Sequence, residues 1–168
     1  LGTIGKAGSF SFYYGHHIST IEGGIVVTDD EVLYNLMLSI RSHGWARDVS
    51  EDFANQWKAD YNIDAFRDLY TFYFPGFNLR STDLNAFLGI GQLKKLDAIS
   101  KVRSENYQHY VNYLGKKYWV QKSDCSFLSH FAYGTLVANR MEVTQHLKAH
   151  GIETRPLICG SMGLQPFW

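Results

Sequence analysis

The sequence predicts an α/β fold, on three observations. Two short β-prone runs, residues 9–14 and 24–28, flank a glycine-bounded turn. An amphipathic helix follows directly, and beyond residue 80 helical and extended patterns alternate.

Residues 9–14 (Ser-Phe-Ser-Phe-Tyr-Tyr) alternate small polar with aromatic side chains, the period of a half-buried strand, and residues 24–28 (Gly-Ile-Val-Val-Thr) form a β-branched run. A helix is then expected from Thr28, Asp29 or Asp30 as N-cap, with Val32, Leu33, Leu36, Met37 and Ile40 on one face and a stop at Gly44. Residues 45–79 lose periodicity while gathering Trp57, Tyr61, Phe66, Tyr70, Phe72, Tyr73, Phe74 and Phe77. Rings in such a stretch are covered by another subunit, line a pocket wall, or fill a local core. Ser81, Thr82 and Asp83 can cap a second helix carrying Leu84, Phe87, Leu88, Leu93, Leu96 and Ile99, running with a break to Gly115. Strands at 118–121 and 131–138, a helix at 141–150 closed by Gly151, and a strand at 152–155 complete an α+β second half.

Composition narrows the function. Sixteen basic side chains balance 16 acidic ones over 168 residues, and no cationic cluster exceeds Lys94-Lys95 or Lys116-Lys117, so the footprint of a nucleic-acid binder is missing. No run approaches the ~18 apolar residues of a membrane span, and the start lacks a signal-peptide pattern; no membrane partner and a cytoplasmic location are expected. Cys125 and Cys159 have no close-spaced partner and read as free thiols. A start at Leu1 and an apolar end at Gln165-Pro166-Phe167-Trp168 lead us to expect a piece of a larger protein.

The chemically informative stretch is residues 11–24, Ser-Phe-Tyr-Tyr-Gly-His-His-Ile-Ser-Thr-Ile-Glu-Gly-Gly. A strand ends in a turn that holds an imidazole, the side chain best placed to move protons near neutral pH, and glycines there allow positive φ or close backbone approach. A structural histidine in a turn would account for the same residues.

This stretch resembles the cofactor-lysine region of the DegT/StrS-type sugar aminotransferases, fold type I pyridoxal phosphate enzymes, whose pattern is approximately Ser-Phe-x-x-x-Lys-x-x-Thr-x-Gly-Glu-Gly-Gly. The serine falls on Ser11, the lysine position on His16, and the closing residues on Glu22, Gly23 and Gly24. The resemblance continues through Arg41-Ser42-His43-Gly44, through residues 75–80 (Pro-Gly-Phe-Asn-Leu-Arg), through Gln92 to Leu96, and to Gly151-Ile152-Glu153-Thr154-Arg155. It implies a fold type I chain in two parts: residues 1–79 from the C-terminal portion of the large cofactor domain, and 80–168 from a truncated small domain. The family's pyridine-nitrogen aspartate, phosphate-cradling turn and stacking aromatic ring all precede the catalytic turn by more than the 15 residues that stand before His16, so the fragment alone is expected to be inactive.

Histidine at position 16 cannot hold the cofactor as a Schiff base. It resembles the dehydratase branch of the family, which removes the C3 hydroxyl of a nucleotide-linked 4-keto-6-deoxy hexose with pyridoxamine 5'-phosphate. His16 is then the base, able to move a proton without competing as an amine; His17 would point to the opposite side of an extended segment and is expected to be structural. One dehydratase subtype carries an iron–sulfur cluster on a Cys-x-Cys after the first helix. Residues 45–53 here contain no cysteine, which points to the other subtype, in which L-glutamate restores the amine of the cofactor. The resemblance thus implies GDP-4-keto-6-deoxy-D-mannose as substrate, a role in the deoxysugar (colitose) part of O-antigen lipopolysaccharide synthesis, and a homodimer with shared sites. A pyridoxal phosphate-dependent sugar aminotransferase and a non-catalytic sugar-binding relative are the alternatives.

Supporting residues follow from the same resemblance. Ser11 matches the serine that contacts the cofactor phosphate, though a strand serine bonded to backbone is the plainer account. Asn78 matches an asparagine reaching the phosphate of the neighbouring subunit's cofactor; it is equally at home as a turn residue after Pro75-Gly76. Arg155 lies where the dehydratases place an arginine near substrate, and a guanidinium there would clamp a carboxylate or phosphate, unless it is a surface arginine. His43, with Trp45, would line the sugar pocket, or simply complement the helix C-terminus. His146 and His150 lie one turn apart, but no third ligand is in view, and no metal is expected.

Overall fold

The computed structural model describes residues 2–121, 123–125, 127–157 and 160–168. Leu1 and Cys159 lie outside the described residues. The chain forms two compact units, residues 1–96 and 97–168. The sequence boundary at 79/80 falls within the first of them.

In the first unit, strand β1 (Gly8–Ser11) pairs antiparallel with β2 (Gly24–Val27), Gly8 facing Val27 and Ser11 facing Gly24. The alternating pattern of residues 9–14 outruns this ladder. Phe12 N–H still donates to Gly23 O at 2.8 Å and Tyr14 N–H to Ile21 O at 3.0 Å, but Ile21 takes φ 73°, which breaks the regular register. Side chains alternate while the ladder stops.

Helix α1 (Glu31–Ile40) starts on Asp30, whose Oδ1 accepts the Leu33 N–H at 3.0 Å. Its most buried residues are not the expected apolar ones: Asn35 and Ser39 are 1% and 0% exposed, whereas Val32 is exposed. Asn35 earns no burial by hydrophobicity; its Nδ2 donates to Glu31 O at 2.9 Å and its Oδ1 accepts the Ser50 N–H at 2.9 Å, anchoring the start of the next helix.

That next helix, α2 (Glu51–Asp60), corrects the expectation of an irregular 45–79 segment, as does a 3₁₀ turn at Asp68–Tyr70. α2 has only Phe53, Ala54 and Trp57 as the apolar residues of its half-buried face, a short stripe among charged and amide residues; acidic Glu51 and Asp52 in its first turn and Lys58 in its last suit the helix dipole. The aromatic residues around it divide. Trp57 packs on Tyr73 and Phe74 with ring centroids 5.7 and 4.9 Å apart, a local core, while Phe66 is 92% and Phe77 62% exposed. Helix α3 (Asp83–Leu93) follows, capped by Thr82.

The second unit contains helix α4 (Leu96–Leu114), whose first residue closes the first unit, and α5 (Arg140–Ala149). The expected break between α3 and α4 falls at Lys94-Lys95. Gly151, at φ 74°, ends α5, and Ile152 N–H caps back to Leu147 O at 2.9 Å. The expected strands at 118–121, 131–138 and 152–155 are a correction: among the described residues none joins a ladder. Period-two patterning sets which way side chains point, but a strand exists only with a partner, and 118–121 and 131–138 are bridged by a side chain, Thr135 Oγ1 donating to Trp119 O at 2.8 Å. The unit packs around Tyr107, 8% exposed, which stacks on His130 with centroids 3.4 Å apart.

Candidate active site

The end of the β1–β2 hairpin carries His16. Its Nδ1 lies 2.8 Å from Ser11 Oγ, and the same oxygen accepts the Tyr13 N–H at 3.2 Å. Gly15, at φ 91°, reverses the chain, His16 N–H donates to Tyr13 O at 3.1 Å, and the Tyr13 ring stands edge-on to the imidazole at 5.7 Å. The strand end, the turn and the ring thus converge on one serine oxygen.

The return arm of the hairpin is held from α3. Asn85 Nδ2 donates to Thr20 O at 2.7 Å and more weakly to Glu22 O at 3.3 Å, while Thr20 Oγ1 donates to Glu22 O at 2.8 Å. Thr82 fixes Asn85 in turn, accepting its N–H at 3.3 Å. Gly89 faces the Thr20 methyl, where a Cβ would stand 3.1 Å away. A cleft of about 280 Å³ between hairpin and helix is lined by Phe12, Ile18, Thr20, Ser81, Asn85 and Leu93, among others. Sequence reasoning overlooked Asn85; the spacing of Thr82 to Asn85 at a helix start was its only signal.

Asn78 and His43 come together on a second pair of segments. Ser42 and Asn78 form an isolated antiparallel bridge, and His43 N–H donates to Phe77 O at 2.7 Å. Gly44 and Gly76 let these backbones touch: a Cβ on Gly44 would meet Phe74 O, and one on Gly76 would meet Gly44 N. The Asn78 side chain is exposed, with Oδ1 accepting from Arg80 Nε at 3.3 Å, so its amide nitrogen is the end left to donate. The His43 ring tilts against Trp45 at 5.1 Å, and Trp45 is enclosed by Phe72, stacked at 5.3 Å, and by the Arg47 guanidinium at 3.8 Å. Beside them, burial and a hydrogen bond to Asp68 push the Tyr73 hydroxyl up to about 12.

Arg155 belongs to the second unit. Its guanidinium lies 5.0 Å over the Phe131 ring, where Arg103 also approaches at 5.8 Å. His146 and His150 are exposed with rings 4.3 Å apart, and among the described residues no three His, Cys, Asp or Glu side chains form a metal-holding group. Cys125 is an exposed free thiol, and no described helix is long and apolar enough to cross a membrane.

Comparison with known proteins decides the family. The sequence profile of the DegT/DnrJ/EryC1/StrS aminotransferase family matches residues 1–168. The chain belongs to that family. Over 166 residues it is 34% identical to GDP-4-keto-6-deoxy-D-mannose 3-dehydratase of Escherichia coli O55:H7, covering 95% of this chain and 42% of that protein. A solved structure of the E. coli GDP-4-keto-6-deoxy-D-mannose-3-dehydratase with bound hydrated PLP superposes with a TM-score of 0.78 at 33% identity, over 95% of this chain and 42% of that one. A GDP-4-keto-6-deoxymannose-3-dehydratase with a trapped PLP-glutamate geminal diamine gives 0.79 at 32%, with the same coverage. The chain therefore spans less than half the length of these relatives. Its architecture is part of the fold type I arrangement that the motifs implied.

Set on the pattern quoted for the resemblance, the hairpin shows three departures. His16 falls on its lysine, Ser19 on its threonine, and Ile21, at φ 73°, on the first glycine of Gly-Glu-Gly-Gly. The last explains the pattern physically, since the turn demands a left-handed residue whether or not glycine supplies it. The donors present suit a phosphate-bearing cofactor: Ser11 offers a hydroxyl and Asn78 an amide N–H.

Proposed function

We propose that this chain supplies part of the active site of a pyridoxamine phosphate-dependent sugar 3-dehydratase. The substrate is a nucleotide-linked 4-keto-6-deoxy hexose, GDP-4-keto-6-deoxy-D-mannose in the first instance, and L-glutamate recharges the cofactor. The observation that carries this reading is His16 at the lysine position, its ring seated 2.8 Å from Ser11 Oγ. The relatives' names support the substrate and glutamate assignments.

Pyridoxamine phosphate, when bound, supplies an amine that condenses with the keto group and a conjugated ring that accepts the electrons released on deprotonation. His16 takes the proton from the carbon bearing that amine, and the imidazolium can then protonate the departing C3 hydroxyl. Ser11 donates its hydroxyl to the phosphate, and Asn78 its amide to the phosphate in a second copy of the chain, which makes the homodimer functional. Arg155 holds a carboxylate or a diphosphate oxygen, and His43 borders the sugar.

Within the same reading, the division of the longer protein into a large domain ending near residue 79 and a small domain from residue 80 is retained. The cofactor is not bonded through lysine, and residues 45–53 supply no thiolate for an iron–sulfur cluster. The product feeds colitose and O-antigen synthesis in the cytoplasm, the compartment where phosphorylated cofactor and nucleotide sugar are both retained.

The test is to incubate the full-length protein with pyridoxamine phosphate, glutamate and GDP-4-keto-6-deoxy-D-mannose, and follow the sugar by mass. Loss of the C3 oxygen is expected, abolished in His16→Asn with cofactor binding retained. An amino sugar as product, or a lysine–cofactor adduct after borohydride, would establish the aminotransferase alternative instead.

A further inference from the structure

A lysine at position 16 presents one nitrogen; a histidine presents two, and only one faces the chemistry. The replacement therefore creates a requirement the family's usual residue does not have, namely a fixed tautomer. We infer that Ser11 meets it, holding the proton of His16 on Nδ1 so that Nε2 is the basic nitrogen. This deepens the dehydratase reading and rests on it.

The argument counts donors and acceptors at one oxygen. Ser11 Oγ has one proton and two lone pairs. The Tyr13 N–H uses one lone pair at 3.2 Å. His16 Nδ1, at 2.8 Å, either receives the serine proton or gives its own to the second lone pair. If Ser11 donates to Nδ1, the imidazole proton sits on Nε2, and neither residue can do its work: the ring has no base to present, and the hydroxyl has no proton for a phosphate. If Nδ1 donates, Nε2 carries the lone pair and the Ser11 proton is available to the phosphate. Only the second arrangement serves both roles, and it links the phosphate to the base through a single serine.

The local backbone enforces this pairing. β1 ends at Ser11, the Tyr13 N–H turns back onto its side chain, and Gly15 at φ 91° brings the imidazole round to the same oxygen. The Tyr13 ring, edge-on at 5.7 Å, restricts rotation of the imidazole. Ser11 is thus a positioning residue for His16 in addition to its proposed phosphate contact. In serine proteases, an orienting group that leaves the imidazole in the wrong tautomer lowers kcat by about 10⁴.

The experiment uses full-length protein carrying ¹⁵N-labelled histidine, with and without pyridoxamine phosphate, and reads the two ring nitrogens of His16. Their resonances are assigned by disappearance in His16→Asn. The expected result is a protonated Nδ1 and a bare Nε2 in the neutral ring. Ser11→Ala should move the proton toward Nε2 and lower kcat for C3 dehydration at least about tenfold, with a smaller effect on KM. Ser11→Thr, which keeps the hydroxyl, should restore the tautomer and most of kcat. A merely structural serine, or one that only touches phosphate, would leave the tautomer unmoved.

A wild-type protein that dehydrates the sugar with its proton on Nε2 overturns this inference while leaving the functional reading intact. A protein that shows the Nδ1–H tautomer, lost in Ser11→Ala, but forms no deoxygenated sugar sustains the Ser11–His16 link and overturns the dehydratase reading. The wild-type spectrum alone decides the tautomer should Ser11→Ala fail to fold.

Discussion

Asn85 Nδ2 donates to Thr20 O at 2.7 Å across 65 residues of sequence, and this bond ties the first turn of α3 to the return arm of the hairpin that presents His16. Thr20 is 6% exposed, so its carbonyl has little water to fall back on. Asn85→Ala should destabilise the protein by about 1–3 kcal/mol, the cost of stranding a buried acceptor. Denaturant unfolding measures it, and an unchanged midpoint would show that the hairpin is held by other means.

Ile21 departs from its family pattern at a cost. A β-branched residue in the left-handed region is strained by about 1–2 kcal/mol, whereas glycine adopts that region freely but adds about 0.5–1 kcal/mol of unfolded-chain entropy. The Ile21 side chain is 59% exposed, so little burial is lost on removing it. Ile21→Gly should therefore stabilise the protein by about 0.5–1 kcal/mol, and Ile21→Val should not. Paired thermal melts of the two variants separate strain relief from a general effect of shortening the side chain.

At Gly44 the opposite sign is expected. Its φ is 86° and a Cβ would intrude on the Phe74 carbonyl oxygen, so Gly44→Ala must part the two segments that carry His43 and Asn78. The strain of a left-handed alanine alone is about 1 kcal/mol, and displaced backbone contacts raise the total to roughly 2–4 kcal/mol. Equilibrium unfolding reads the loss, and a crystal structure of the variant should show the bridge between Ser42 and Asn78 opened.

Tyr73 gives a pH dependence with a definite sign. Its hydroxyl is raised from 10.0 to about 12, first by burial and then by the bond its O–H donates to Asp68 Oδ1 at 3.1 Å. The folded state thus holds this proton more tightly than the unfolded chain. The associated stability is complete below pH 10 and is lost as pH rises from about 10 through 12. Tyr73→Phe should flatten the stability profile over that window. Phenolate absorbance should show one tyrosine titrating near 12 in the wild type and not in the variant.

Much of this was legible locally. The cap at Asp30, the start of α3 at Thr82 and the end of α5 before Gly151 each depend on a few adjacent residues, and the motif around His16 placed the chain in its family. The failures share a physical cause. α2 has only Phe53, Ala54 and Trp57 as the apolar residues of its half-buried face, too short a stripe to stand out, while residues 118–121, 131–138 and 152–155 alternate like strands but, among the described residues, find no ladder, because pairing is a property of a partner segment.

The sequence by itself determined that an imidazole and not an amine stands at position 16 of the turn, since that is a matter of residue identity at one position. Only the tertiary structure decided what touches that imidazole. The Ser11–His16 contact depends on where β1 stops and on the positive φ of Gly15. The Asn85–Thr20 bond depends on α3 docking against a turn more than sixty residues earlier in the chain. Such contacts arise from chain reversal and packing, and no local pattern of residue types encodes them.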